Sequence, residues 1–515
     1  MMKSPTYVQF KHSGIVLDIP PEEVSPDNWT SGLNVQFQDN ATRRVGGYAA
    51  YADPALGTGP QFALSVISEE NSYWLYCTAS GVYVTDGALH WDITPVGGIT
   101  PTTVGAWSGC VLNGIPVLNN GLNAPMYWDL STVSKAKPLP GWKAGATCKA
   151  IRAFKYHLFA LNVFDGSSDY PSTLWWSKSA LPGTIPTEWT PTPSNDAGDM
   201  DLGDTLGEIV DGLALRDNLI IYKEFATYSL AYVAGQFVYT SRKLFLTSGV
   251  AALNCIAEVD GNHFVFTGND VIRTDGQNFE SLVDLKVKHA LVDSIDPAQR
   301  RACCIASRQR NNQVWVNIPV QGGNGLTRAY VINTLTGSVG IRDLPGIAYV
   351  GRGIVNYGVG SMAWDSDNES WDSDVTFWSQ QNYDPTEDSL LMCDEKVNKL
   401  WAVDVSDLND GAKVSAFVGR DSMPLGEKVL RALVTRVVPR VEGQAGDTLY
   451  IRTGGQAYFD EPIEWSNPVP FLIGTDVGVN VLTEGRLISV RFEGATDRQW
   501  KVHSYRIAYV DLGLY

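Results

Sequence analysis

The stretch from Gly207 to Ser248 constrains the fold more than any other. Four apolar runs lie close together there, at residues 209–215, 219–223, 228–233 and 237–245. Short connections separate them: Arg216-Asp217-Asn218, residues 224–227, and Ala234-Gly235-Gln236. Runs of this length, rich in Ile, Val, Leu and Tyr, are too short for stable helices and suit strands. Connections this tight join only antiparallel neighbours, because a parallel crossover needs about a dozen residues or more. The expected product is a four-stranded meander, the unit of a propeller blade.

Looser copies recur along the chain. Residues 62–67, 73–77 and 81–85 read as strands, with Thr85-Asp86-Gly87 as a turn. Val271-Ile272-Arg273-Thr274-Asp275-Gly276 echoes that pattern closely, and Val331-Ile332-Asn333-Thr334-Leu335-Thr336-Gly337 more loosely. Asp and Asn tolerate left-handed backbone and Gly takes it freely, so such tripeptides close hairpins. Central apolar strands at 110–118, 157–163, 263–267 and 314–318 mark further units. Their spacing of roughly 40 to 55 residues is that of propeller blades. A last, irregular unit covers 347–403 and carries a polar insertion. Polar loops at 164–171 and 177–199 are expected to project from one face. The expected fold is all-β: a propeller of six or seven four-stranded blades over 61–404, with a C-terminal β-sandwich-like domain over 405–515.

Residues 1–60 read as an extended lead-in. Ser13 to Pro21 ends at two prolines, residues 32–37 form one alternating strand, and Asp39-Asn40 turns into Thr42-Arg43-Arg44-Val45. After Asp404 the strands lengthen, at 414–418, 429–438, 448–452, 487–492 and 499–510, with Gly454-Gly455 among the turns. Residues 284–292 are the best helix candidate.

Composition limits the function classes. No apolar run approaches the ~18 residues that span a bilayer. Residues 1–20 lack the apolar centre of a signal peptide, so synthesis in a cytoplasm without ordinary secretion is expected. Gly (49), Pro (26) and 11% aromatics, with 16 Trp, favour many short strands. The seven cysteines are odd in number, and Cys77, Cys255 and Cys304 lie in apolar runs, as buried thiols do. The net charge of −17 argues against a groove that grips phosphates, yet it suits a conduit to which nucleic acid must not stick. An ordinary acidic surface accounts for the charge equally well.

Two acidic clusters could hold a cation. Asp365, Asp367 and Glu369 have the one-three-five spacing of a calcium loop, but Ser370 stands where its Gly belongs and Thr376 where its last Glu belongs. Asp196, Asp199, Asp201 and Asp204 crowd the entry to the 207–248 unit, where turns use the same residues. The six histidines are scattered, and no zinc, phosphate-loop or nucleophile-elbow motif occurs. Thr85-Asp86-Gly87 does not match the spacing of a sialidase Asp-box. No catalytic, cofactor-binding or metal-ligating residue is therefore assigned. Trp175, Trp176, Trp189, Trp364 and Trp371 could stack on sugars or fill blade interfaces.

Two segments resemble the tail nozzle, or tail-hub, proteins of short-tailed bacteriophages. One runs from Gly14-Ile15-Val16-Leu17-Asp18-Ile19-Pro20-Pro21-Glu22-Glu23 through Trp29, Gly32-Leu33-Asn34-Val35 and Arg43-Arg44-Val45-Gly46-Gly47-Tyr48. The other joins Gly198-Asp199-Met200-Asp201, Leu219-Ile220-Ile221-Tyr222-Lys223, Ser248-Gly249-Val250 and Asn269-Asp270-Val271. Together they cover about a quarter of the chain. The resemblance implies a non-enzymatic virion structural protein, assembled in the host cytoplasm. Six copies would form a ring below the connector, extending the tail tube and retaining packaged DNA until ejection. Its implied partners are adaptor or connector proteins, a tail fibre or tailspike, and viral DNA passing without sequence-specific binding; no membrane insertion is implied. The lead-in and the C-terminal domain are expected to make the inter-subunit contacts. The alternative is a carbohydrate-binding or carbohydrate-cleaving propeller acting as a tail-associated receptor binder.

Overall fold

The computed structural model describes residues 6–10, 13–52, 59–68, 72–233, 238–355, 389–425 and 431–513. The 207–248 stretch folds as the meander Ile209–Leu215, Asn218–Lys223, Thr227–Tyr232 and Tyr239–Phe245, every neighbour antiparallel. Among the described residues it is one of seven four-stranded units arranged in a circle, a β-propeller. The innermost strands, in order, are Pro60–Ile67, Ser108–Leu112, Thr147–Phe154, Ile209–Leu215, Ile256–Val259, Cys304–Arg308 and Tyr349–Gly353. Each packs on the next, and Tyr349–Gly353 packs back on Pro60–Ile67 to close the circle.

The seventh blade is completed from the other end of the chain. Its strands Tyr349–Gly353, Ser389–Asp394 and Lys399–Ser406 take Gly47–Ala52 as the outermost member. Residues 47–52 therefore belong to the propeller, although the lead-in was expected to run to 60. A closure made by two distant segments holds the circle shut with antiparallel ladder pairing, broken by irregularities at Leu400/Trp401 and Val403/Ser406.

The rest of the lead-in completes the C-terminal domain. One sheet runs Ser31–Leu33, Val414–Pro424, Leu487–Thr496, Thr448–Gln456, Glu464–Trp465, with Val469–Leu472 also on Thr448–Gln456. In the other, Arg431–Glu442 lies between Val479–Gly485 and Lys501–Gly513, and Lys501–Gly513 also takes Thr6–Phe10 and Ala41–Arg44. Trp29 lies between the layers, 1% exposed. It stacks on Tyr505 at 5.8 Å, meets Phe492 edge-on at 6.0 Å and donates its indole N–H to Thr42. Val35–Gln38 then pairs both with Ala41–Arg44 and with Val339–Ile347 of blade six. One continuous sheet thus passes from blade six into the sandwich, and a single hydrophobic core follows it.

Several sequence expectations are corrected here. Residues 110–118 are two strands, Ser108–Leu112 and Ile115–Asn119, because Asn113 (φ 52°) and Gly114 (φ 84°) make a left-handed hairpin turn between them. Residues 32–37 are likewise split, at Asn34 (φ 56°), where the chain changes from one sandwich sheet to the other. The loops at 164–171 and 177–199 do not share a face. Asp169–Trp176 runs between them as a strand, so they leave blade three at opposite ends. Gly454 and Gly455 are not a turn but lie within Thr448–Gln456. A Cβ at Gly454 would stand 2.3 Å from the Ile463 side chain, and one at Gly455 would stand 2.1 Å from the Glu484 carbonyl oxygen. The helix is Lys288–Ser294, later than expected, and Asp18 of the lead-in accepts its first N–H groups from His289 and Ala290.

Candidate functional site

A propeller axis is where many such folds bind, so its contents decide what can enter. Arg152, on the inner strand of blade three, reaches Asp211 on that of blade four. Its Nε and Nη2 donate to the two carboxylate oxygens at 2.8 and 2.9 Å. Nη2 also donates to Asn254 Oδ1, and Nη1 to the Gly109 and Ile151 carbonyls. Asn254 closes the net, donating its backbone N–H to Asp211 and its amide to the Trp107 carbonyl. Both charges are nearly sealed from solvent, with the Arg152 and Asp211 side chains 10% and 2% exposed. At Gly105 (φ 82°) an added Cβ would stand 2.2 Å from the Arg301 carbonyl oxygen, so the entry loops of blades two and six touch. The space left beside Phe62, Trp107, Asn254, Cys303 and Tyr349 is about 10 Å3, room for one water at most. At this level the loops of blades two and six cross between opposite sides of the circle.

Sequence reasoning missed Arg152, Asp211 and Asn254. The available signal was a charge inside an apolar strand, as in Ala150-Ile151-Arg152-Ala153-Phe154 and Ile209-Val210-Asp211-Gly212-Leu213. A buried charge needs a partner, so two such strands imply one pair.

The Asp196–Asp204 cluster is dispersed by the fold. Asp196 accepts the Ser179 N–H at 2.8 Å. Burial works against its charge, yet that bond holds its carboxyl below the usual range. Asp199 and Asp201 lie on Gly198–Asp201, the outer strand of blade three. Asp204 accepts from the Lys243 ammonium and the Tyr228 hydroxyl, which keep its carboxyl low. Residues 202–205 wrap the buried Lys223, whose ammonium donates to the Leu202 and Thr205 carbonyls and to Ser172. Among the described residues no group of three or more His, Cys, Asp or Glu side chains could hold a metal ion. Asp365, Asp367 and Glu369 lie outside the described residues.

The repeated turns are wired alike. Asp86 accepts the N–H groups of Ala88 and Leu89 while Thr85 accepts that of Gly87. Asp275 accepts those of Gln277 and Asn278 while Thr274 accepts that of Gly276. These carboxylates shape hairpins. Trp176 is buried against Phe159 and Tyr239 and donates to the Asp196 carbonyl. Trp189 meets Trp142 edge-on at 4.7 Å, and Trp175 also packs near Trp142. Those rings fill blade three and its borders with blades two and four; Trp364 and Trp371 lie outside the described residues. All seven cysteines are free thiols, and all but the half-buried Cys110 are buried.

The joint between lead-in, sandwich and propeller gathers several buried polar groups. Asp404 takes Arg308 at 2.6 Å and Arg342 at 2.7 Å, and Arg342 also donates to the Gly46 carbonyl. Burial opposes the Asp404 charge, but the two arginines hold its carboxyl below the ordinary value. Arg44, fully buried, donates to the Asp407 carbonyl, and Arg420 donates to the Pro21 and Val24 carbonyls. Asn34 donates to the Ser415 carbonyl and accepts the Asp343 N–H. Between Ser13 and Val339 runs a groove of about 300 Å3, into which Lys286 and several hydroxyl groups turn. Burial lowers the Lys286 ammonium pKa, and its Nζ donates to the Gly337 carbonyl.

Charge is unevenly shared along the chain. Residues 61–410 hold 38 Asp and Glu against 23 Lys and Arg, whereas residues 411–515 hold 12 of each. The acidity therefore belongs to the propeller.

The fold and these contents define the class: a β-propeller whose polar interior ties blades together, fused to a β-sandwich. No family model matches the sequence, and no curated protein matches it. Among solved structures the chain is similar to YCF48 bound to D1 peptide, with 9% identity and a TM-score of 0.36 over 68% of this chain and 99% of that one. It is also similar to the WD40 β-propeller domain of Doa1, with 10% identity and a TM-score of 0.38 over 70% and 96%. A third likeness, to puromycin hydrolase, has 11% identity and a TM-score of 0.36 over 60% of this chain and 53% of that one.

Proposed function

We propose that the chain is a virion structural protein, one subunit of a six-fold nozzle or hub ring at the end of a short phage tail. The observation that carries this reading is the joint. The residues on which the resemblance rests (Trp29, Asn34, Arg44, Gly46) are buried where lead-in, sandwich and blade six meet, and they hold two unlike modules together. A subunit with two unlike ends suits the heterologous contacts that close a ring.

In this reading DNA passes between subunits and not through the propeller axis, where the loops of blades two and six touch at Gly105 and Arg301. An acidic propeller wall repels phosphate, so DNA can be held in the tube without sticking. The ring's neighbours are a connector or adaptor above and a fibre or tailspike beside it, and the subunit performs no chemistry of its own. Electron microscopy of the particle carrying this chain tests the proposal. A six-fold ring at the tail tip, labelled by an antibody to this chain, is the expected result. Absence from the particle, or isolated monomers that cleave host polysaccharide, would overturn it in favour of the carbohydrate reading.

A further inference from the structure

Open sheet edges are hazards that proteins guard with charge, proline or shortness. The outermost strands of blades one to five all carry such a guard: Asp92, Lys137 with Pro138, Asp199 with Asp201, Arg242 with Lys243, and Glu280. Blade six is covered by Val35–Gln38, and Gly47–Ala52 of blade seven is partly covered by residues 408–410. In the six-stranded sandwich sheet the edge strands are short or hold proline: Ser31–Leu33, Glu464–Trp465 and Val469–Leu472.

The other sandwich sheet differs. Among the described residues its two outer edges are Thr6–Phe10 on one side and Val479–Gly485 on the other. The second lies against Thr453, Gly455 and Gln456 of the facing sheet from Thr483 onward, which leaves residues 479–482 to carry the edge. Thr-Tyr-Val-Gln-Phe has no charge, and Val-Asn-Val-Leu-Thr-Glu-Gly has one, near its end. Each edge also leaves apolar side chains half-finished on both faces. On the inner face Val8 and Val481 are only partly buried against the core. On the outer face Tyr7 is 56% exposed and Leu482 is 78% exposed.

We infer that these two edges pair with each other between copies of this chain, Thr6–Phe10 of one subunit against Val479–Gly485 of the next. Four strands separate the outer sides of the sheet, in the order Thr6–Phe10, Lys501–Gly513, Arg431–Glu442, Val479–Gly485, and each is antiparallel to its neighbour. Because that number is even, head-to-tail repetition makes the new junction antiparallel as well. Side-chain alternation then matches: Val8 and Val481 extend the buried layer, while Tyr7 and Leu482 cover each other outside. The contact is heterologous, so a fixed rotation per subunit closes it into a ring.

This inference rests on the ring reading but can fail separately. The full-length chain is examined by sedimentation, with Tyr7→Lys and Leu482→Lys as edge variants and circular dichroism as the folding control. Both side chains are exposed, so both variants fold normally, and the concentration for half-assembly rises at least about tenfold. Gln9→Cys combined with Asn480→Cys gives a ladder of covalent oligomers on oxidation, which the parent chain does not. A wild-type chain that stays monomeric, edge variants that assemble like the parent, or the absence of a ladder would each overturn the pairing. A ring imaged on the particle without these cross-links leaves the nozzle reading standing and removes only the strand junction.

Discussion

Arg152 of blade three and Asp211 of blade four meet through two parallel hydrogen bonds of 2.8 and 2.9 Å. The pair joins blades three and four, and Asn254 and the Gly109 carbonyl extend it to blades five and two. Breaking a buried pair costs more than the pair contributes, because one charge is left without a partner. Arg152→Ala is therefore expected to lower stability by about 3–5 kcal/mol. The double change Arg152→Met with Asp211→Leu is expected to cost less than the single one. Equilibrium urea unfolding of both variants checks the order.

His263 gives the fold an acid limit. Tyr222 lies 2.9 Å from its Nδ1, and its Nε2 donates to the Ala214 carbonyl at 2.9 Å, so the neutral ring ties blade five to blade four. Burial pulls its pKa from 6.5 down to about 4. Between those values the unfolded chain binds the proton that the folded chain refuses. Stability from this group is complete above about pH 6.5 and falls as pH drops towards 4, by on the order of 3 kcal/mol. His263→Gln should flatten that part of the pH profile, measured as Tm from pH 4 to 8.

Trp29 is the centre of the sandwich although it belongs to the first thirty residues. Trp29→Ala removes the ring between Tyr505 and Phe492 and leaves the Thr42 hydroxyl without its donor. A loss of about 3–5 kcal/mol is expected. Limited proteolysis should show new cleavage within residues 13–30 while the propeller fragment persists. For the same reason, deletion of residues 411–515 would strip the cover from Trp29 and Phe10, so the edge substitutions are cleaner probes of subunit contact than the deletion.

Gly105→Ala brings a Cβ against the Arg301 carbonyl at a left-handed backbone position. Nothing flexible can yield there, since both partners are main chain. The variant is expected to lose about 1–3 kcal/mol beyond the left-handed penalty of about 1–2 kcal/mol. Differential scanning calorimetry measures it.

Much of the propeller was legible in the chain. The runs at 209–215 and 219–223 predict their strands to within a residue, because alternating apolar stretches and tight turns are local features. Thr85-Asp86-Gly87 and Thr274-Asp275-Gly276 announce identical hairpins, since each carboxylate accepts N–H groups two and three residues ahead. The candidate site was less legible. Arg152 and Asp211 are 59 residues apart, and neither strand alone says which charge will face it.

Local pattern thus determined that the chain is built of short antiparallel meanders with a longer-stranded region behind them. Strand period and turn chemistry act over a few residues, and blades one to six each carry their own in one continuous segment. Tertiary structure alone decided the closures: Gly47–Ala52 sealing blade seven, Trp29 completing the sandwich, and Asp404 holding Arg308 and Arg342 at the joint. Those contacts unite segments that no local preference brings together. They form because leaving a sheet edge unpaired, an aromatic ring wet or a buried charge unmatched costs more than ordering the chain that covers it.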